Sequence, residues 1–181
     1  MDDIEVMPMK PPRALDTIIY GGLTAGSLDI LDAFLVSGLR GVSPERVLRH
    51  IASGVLGPSA AQGGIGVPAL GLGLHFTIAL GAAVTYWAAS RKLSILVRHP
   101  IISGLAFGLG VWAFMQYVVV PLSLVRGGAG SPPLLMLLNQ LGIHAFGVGL
   151  PIALFASWSA RRAPHASNPQ SLKGTEETVA L

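Results

Sequence analysis

Apolar residues gather along the chain in four long runs, about 15–38, 69–89, 101–125 and 134–158, separated by polar or glycine-rich stretches. Each run is close to the roughly 20 residues that cross a bilayer as an α-helix. The pattern predicts an all-α membrane protein of four transmembrane helices, a transmembrane domain over 15–162 between two tails, 1–14 and 163–181. Glycine and proline interrupt the runs, which membrane helices tolerate better than soluble ones. Pro151 lies inside the fourth run. It lacks a backbone donor and clashes with the preceding turn, so a kink is expected there.

A different periodicity occupies the long first loop. In "SPERVLRHIASGVLG", Ser43 is placed as an N-cap, Pro44 at the first helical position and Glu45 in the first turn. Val47, Leu48, Ile51 and Val55 then form one apolar stripe opposite Arg46, Arg49 and His50. This predicts an amphipathic helix over about 44–56. It lies either at the membrane interface or packed on the ends of the spans, the interface being the natural place for such a helix. The glycine-rich "GPSAAQGGIG" returns the chain to the second span, and the polar segment after Ala163 has the composition of a disordered tail.

Composition agrees with a membrane protein. Hydrophobic residues make up 51% of the chain and charged residues 12%, against about 25% charged in soluble domains. There is no cysteine, which removes disulfides, thiolate metal sites and cysteine nucleophiles. The net charge of +3 suggests nucleic acid until the charges are located. They sit in short clusters beside the apolar runs, with no arginine-rich face, so nucleic acid is set aside as a partner and the lipid bilayer takes its place. Lys10, Arg13, Arg91, Lys92, Arg98, Arg161, Arg162 and Lys173 fall on one side; Arg40, Arg46, Arg49 and Arg126 fall on the other. The positive-inside rule therefore expects both termini in the cytoplasm. The first residues, "MDDIEVMPMKPPRALD", are mixed in charge and lack a cleavage motif, so the first span is expected to be retained.

The second and fourth runs echo each other, "LGLHF" (Leu72–Phe76) against "LGIHA" (Leu141–Ala145), and each later reaches a tryptophan and a basic pair. "GLTAG" (Gly22–Gly26) and "GLAFG" (Gly104–Gly108) echo more faintly in the first and third. Two tandem helical hairpins in the same orientation would produce this order. Small residues four apart, Gly22 with Gly26 and Gly104 with Gly108, let helix backbones approach closely in lipid. Continuing at helical spacing brings Asp29 onto that seam, with Asp32 about 60° to one side.

At 1.5 Å per residue the polar groups of all four spans reach one outer-half layer. Asp29 and Asp32 come from the first, His75 from the second, Gln116 from the third, and Asn139, Gln140 and His144 from the fourth. Carboxylates and imidazoles at one depth admit a proton relay, a divalent-metal site or a site for a small polar or cationic solute. A His–Asp base is the weakest option, because no H-E-x-x-H or G-x-S-x-G motif accompanies it; the residues point away from an enzyme and nominate no cofactor. Opposed to all of these stands a purely structural role, in which the polar layer hydrogen-bonds within itself and fixes helix packing. The chain would then be a structural or interaction subunit of a membrane assembly. That role suits Gln116, Asn139 and Gln140 best, whereas an acid on a packing seam is a functional-site hypothesis by default. Asp16 is read as a charge favoured at a helix N-terminus, Tyr86, Trp87 and Trp158 as interface anchors, and Trp112 as a packing residue. Four helices enclose little space, so a large solute would require a homo-oligomer or another membrane protein.

The stretch "GGLTAGSLDILDAFLVSGLRGVSPERVLRHIASGVLG", the "LGLHF" that follows it and the basic cluster after that resemble an uncharacterised family of small four-span bacterial inner-membrane proteins. That family is similar in general style to the YagU-like membrane proteins. The resemblance covers roughly residues 18–125, and its distinctive parts are the Gly-Leu-x-Ala-Gly-x-x-Asp pattern ending at Asp29, the Gly-Val-Ser-Pro loop and His75. It implies a bacterial inner-membrane location and carries no activity, ligand or catalytic residue.

Overall fold

Four helices long and apolar enough to cross a membrane form in the computed structural model, which describes residues 11–125 and 132–162. They are α1 (Asp16–Gly38), α3 (Gly66–Ser90), α5 (Pro100–Leu122) and α6 (Leu134–Arg162). The amphipathic α2 (Pro44–Leu56) joins the first pair, and a one-turn α4 (Ile95–Arg98) lies between α3 and α5. No strand occurs among the described residues. Helix α3 starts earlier than the hydropathy run because Pro68 sits in its first turn, where a backbone N–H has no partner to lose. Helix α5 stops sooner, at Leu122, where Ser123 turns extended. The expectations for most of the N-terminal tail, for Arg126 and for the C-terminal tail fall outside the described residues.

Side-chain size is sorted the opposite way from a soluble domain. Ala25, Ala83, Ala153 and Ala156 are fully buried, while Leu35, Ile102, Tyr117, Leu135 and Phe146 face outward and are mostly exposed. An apolar outer belt of this kind needs lipid around it, and small residues inside let the helices close on one another.

The two glycine motifs do this packing. A Cβ on Gly22 would meet Leu80 and Ala83 of α3, and one on Gly26 would meet Phe76 and Ala79. In the second hairpin Gly104 abuts Gly149, Leu150 and Ala153 of α6, and Gly108 abuts the backbone of His144 and Ala145. The partners follow the echoed motifs in register: Gly26 lies on the residue after His75, Gly108 on the residue after His144. Helix α6 also packs against α1, where Gly21 meets the backbone of Ile152.

Proline shapes α5 and α6 through widened turns rather than breaks. Leu150, just before Pro151, donates its N–H five residues back to Ala145, and Val120, just before Pro121, donates five back to Met115. Widening the turn makes room for a ring that would clash in a regular helix. The expected disturbance at Pro151 is thus a wide turn over Ile143–Gly149 within a continuous helix.

The end of the bundle that carries the termini is tightly clasped. Tyr86 is fully buried, its hydroxyl donating to the Leu96 carbonyl (2.8 Å) and sharing a bond with Ser103 Oγ (3.0 Å). It is therefore a core residue and not the interface anchor expected from its position. Ser157 Oγ reaches the Val97 carbonyl (2.9 Å) and accepts from Arg161 (3.0 Å). Trp87 and Trp158 lie at the rim as expected, beneath Arg91 and Arg162 at 5.1 and 4.2 Å.

At the opposite end α2 lies across the bundle. Ser43 caps it by accepting from the Arg46 N–H (3.4 Å). Gly41 and Gly57, with φ of +76° and +62°, make the turns on either side, a conformation other residues rarely adopt. Arg49 does not face water as the stripe suggested. Its guanidinium ties down the return loop through the carbonyls of Ala60 (3.1 Å) and Gly63 (2.6 Å), and it pairs with Glu45 (2.8 Å). Leu48 rests on Gly71 of α3, and Gly54 accepts from the Leu124 N–H (2.9 Å) at the end of α5. Helix α2 therefore packs on the span ends, while Val55 and Leu56 remain exposed as an apolar edge suited to the membrane interface.

Candidate functional site

A cavity of about 350 Å³ opens in the half of the bundle beneath α2. The two hairpins pack differently beside it. Aligning GLTAG with GLAFG sets Ala25 against Phe107. Fully buried Ala25 lets α1 close on α6 in the core with Val148 and Ile152. Phe107 instead stands edge-on to Tyr86 with ring centres 5.0 Å apart. Farther along the bundle the cavity lies between α3 and α5, lined by Ile78 and Ala82 of one and Val111 and Trp112 of the other.

All seven polar residues nominated from the sequence line this one cavity: Asp29, Asp32, His75, Gln116, Asn139, Gln140 and His144. Of the packing glycines Gly26 also reaches it, whereas Gly22, Gly104 and Gly108 act in the helix seams. The glycine at 26 does two things at once. Its missing side chain brings α3 close enough for His75 Nε2–H to donate to the Gly26 carbonyl (2.8 Å). A neutral His75 then leaves Nδ1 as an acceptor.

His144 is set by its own helix. It lies in the wide turn before Pro151, and its Nδ1–H donates to the Gln140 carbonyl (2.9 Å), leaving Nε2 as an acceptor when the ring is neutral. The same Nδ1 stands 3.9 Å from Asp29 Oδ1, an ion-pair distance too long for a hydrogen bond. Asp32 is bonded, accepting from Asn139 Nδ2 at 2.8 Å across the α1–α6 contact. Asp29 accepts no hydrogen bond from any described residue, and its side chain is 25% exposed within the lining. The two acids thus differ: Asp32 is tied to a neighbouring helix, Asp29 is free to take a ligand, water or a proton.

Several lining residues were not nominated from the sequence. His50 was assigned to the solvent face of α2, yet it lines the cavity with Val47 and Ile51. The signal was present, since positions 47, 50 and 51 share a face at i, i+3 and i+4. Trp112, read as a packing residue, contributes to the wall, its Nε1–H reaching Gln140 Oε1 at 3.4 Å. Met115 and Met136 complete the wall beside it. No lysine or arginine is among the lining residues; Arg40 reaches the rim, where Nη1 lies 3.3 Å from Met136 Sδ.

No group of three His, Asp or Glu side chains among the described residues is close enough to hold a metal ion. The arrangement is instead a partly exposed acid beside the His144 imidazole, in a lining that also carries His50 and His75. Such a set can exchange protons or bind a hydrogen-bond donor. The chain matches no protein-family model, and comparison with curated proteins and with solved structures gives no significant match.

Proposed function

We propose that this chain is a multi-pass protein of the bacterial inner membrane, termini in the cytoplasm, whose cavity binds a small polar solute or protons arriving from the outer face. The single observation that carries the reading is Asp29: an acid between membrane spans, without a hydrogen-bond partner among the described residues, in a cavity that gathers polar groups from every span. An intramembrane acid costs about 2.5–3.5 kcal/mol on insertion scales and is kept where it meets water, a partner or a ligand. The clustering of Arg13, Arg91, Lys92, Arg98, Arg161 and Arg162 at the clasped end supports a cytoplasmic position for that end. The cavity then belongs to the outer half.

A second reading is favoured by other bonds. His75 on Gly26 and Asn139 on Asp32 join neighbouring helices, as residues that only set packing would. The two readings separate by water access. The natural chain has no cysteine, so Ile78→Cys, on the cavity wall, provides a single thiol. In right-side-out spheroplasts a charged, membrane-impermeant thiol reagent is expected to modify it, and Asp29→Asn is expected to leave that access intact. Modification from the cytoplasmic side alone would reverse the orientation. No modification from either side would leave the packing reading.

A further inference from the structure

We infer that the ligand of this cavity is a small organic cation, a protonated or quaternary amine whose charge sits at Asp29 and whose carbon substituents rest on the Trp112, Met115 and Met136 wall. The inference rests on the binding reading above and names its ligand class.

Size sets the first limit. About 350 Å³ lies at the low end of the roughly 300–1,000 Å³ of small-molecule pockets, which excludes peptides and whole lipids. Charge sets the second. With neutral imidazoles the lining bears two carboxylates and no lysine or arginine, so an anion would meet repulsion with nothing to offset it. Asn139, the one described partner of Asp32, is a neutral amide that leaves the charge in place.

Hydrogen-bond inventory then separates the cations. The N–H groups of His75 and His144 are spent on backbone carbonyls, and the indole N–H of Trp112 on Gln140. The open capacity includes the acceptors of Asp29, one oxygen of Asp32 and the free nitrogens of His75 and His144, beside neutral groups that can also donate: the amides of Gln116, Asn139 and Gln140, the His50 ring and the Ser37 hydroxyl. The fixed charges in that set are both carboxylates, so a ligand that carries positive charge fits it best. A transition metal lacks a three-ligand set among the described residues. A bare alkali or alkaline-earth ion requires an oxygen cage of about six ligands, whereas the carbonyls of Gly26 and Gln140 are already engaged by imidazole N–H groups. An organic ammonium needs less: one carboxylate, a few acceptors, and an apolar and aromatic wall for its carbons. Methionine adds a polarisable surface that adapts to such a group.

The test uses the full chain in lipid nanodiscs and pairs of probes that differ by one charged atom: choline against 3,3-dimethylbutan-1-ol, and ethanolammonium against propan-1-ol. Calorimetric titration is expected to show saturable binding of at least one cation, about tenfold or more tighter than its neutral counterpart, equivalent to about 1.4 kcal/mol. Asp29→Asn is expected to remove that preference, and Trp112→Leu to weaken cation binding about threefold to tenfold. The comparison within the unaltered chain needs no variant, so a misfolded Asp29→Asn leaves it decisive. Equal affinity for a cation and its counterpart, or no cation binding at all, overturns the inference. If Ile78→Cys is then still reached by the impermeant reagent, only the ligand class has failed; if it is not, the binding reading falls as well.

Discussion

Replacing Gly108 with alanine puts a methyl group against the backbone of His144 and Ala145. The added Cβ would collide with the His144 carbonyl oxygen and lie 2.7 Å from its carbon and 2.9 Å from Ala145 Cα. Ordinary carbon contacts are about 3.5–4.0 Å, so α5 and α6 must part by about 1 Å. All three atoms are backbone, and no rotamer relieves them. A gap of that width forfeits about a quarter to a half of each neighbouring contact's attraction, including those of Gly104 with Leu150 and Ala153. Overpacking costs about 1–3 kcal/mol, and in lipid, where packing is a main source of helix association, the upper part of that range is expected. Gly110→Ala is the matched control, because a Cβ there meets nothing within 4 Å. Both variants gain the same helix propensity, about 0.5–1 kcal/mol, which cancels in the comparison. Reversible unfolding in mixed micelles with increasing dodecyl sulfate should therefore show Gly108→Ala less stable than Gly110→Ala by about 2–3 kcal/mol. A difference below about 0.5 kcal/mol, the scatter of neutral substitutions, would refute the close α5–α6 crossing and with it the placement of His144.

Three further expectations bear on separate parts of the molecule. A double-mutant cycle with Asp32→Ala and Asn139→Ala should give a coupling of about 1–2 kcal/mol, near the maximum for membrane hydrogen bonds because the acceptor is charged; a coupling near zero would show that the 2.8 Å bond is not formed in the bilayer. Tyr86→Phe should cost only about 1 kcal/mol in the same unfolding assay, since Ser103 Oγ also donates to the Leu96 carbonyl at 2.9 Å and keeps it satisfied; pairing it with Ser103→Ala should cost more than the two single losses added, which additive losses would contradict. Arg49→Ala removes the bonds to Ala60 and Gly63, so hydrogen exchange should accelerate in the turn Gly57–Ala61 while the spans stay protected; an unchanged turn would show that it is held by something other than the guanidinium.

Hydropathy carries the spans well because a bilayer imposes a length on every crossing, and the four runs needed only their ends adjusted. Two of the ends that moved lie beside proline: Pro68 fits inside the first turn of α3, and Pro121 is followed at once by the end of α5. The polar layer was legible for a related reason. Rise per residue fixes depth, so Asp29, His75, Gln116 and His144 could be set at one level before any packing was known. Depth does not fix azimuth, however, and Tyr86 was misread for that reason: at the rim level, it turns fully inward. The role of α2 was hidden because its charged face divides. Arg49 bends to the return loop and His50 to the cavity, choices made by partners far along the chain. The cavity could not have been anticipated from either glycine motif alone, since its lining is assembled from α2 and all four spans.

The clasp at Tyr86 ties α3 to the start of α5 through Leu96 and Ser103. From Ser103 to Gln116 helix α5 rises about 20 Å, so the stretch of α5 that walls the cavity stands well beyond that fixing point and takes its position from the glycine contacts with α6. A substitution in that crossing is therefore expected to reshape the cavity without touching its lining.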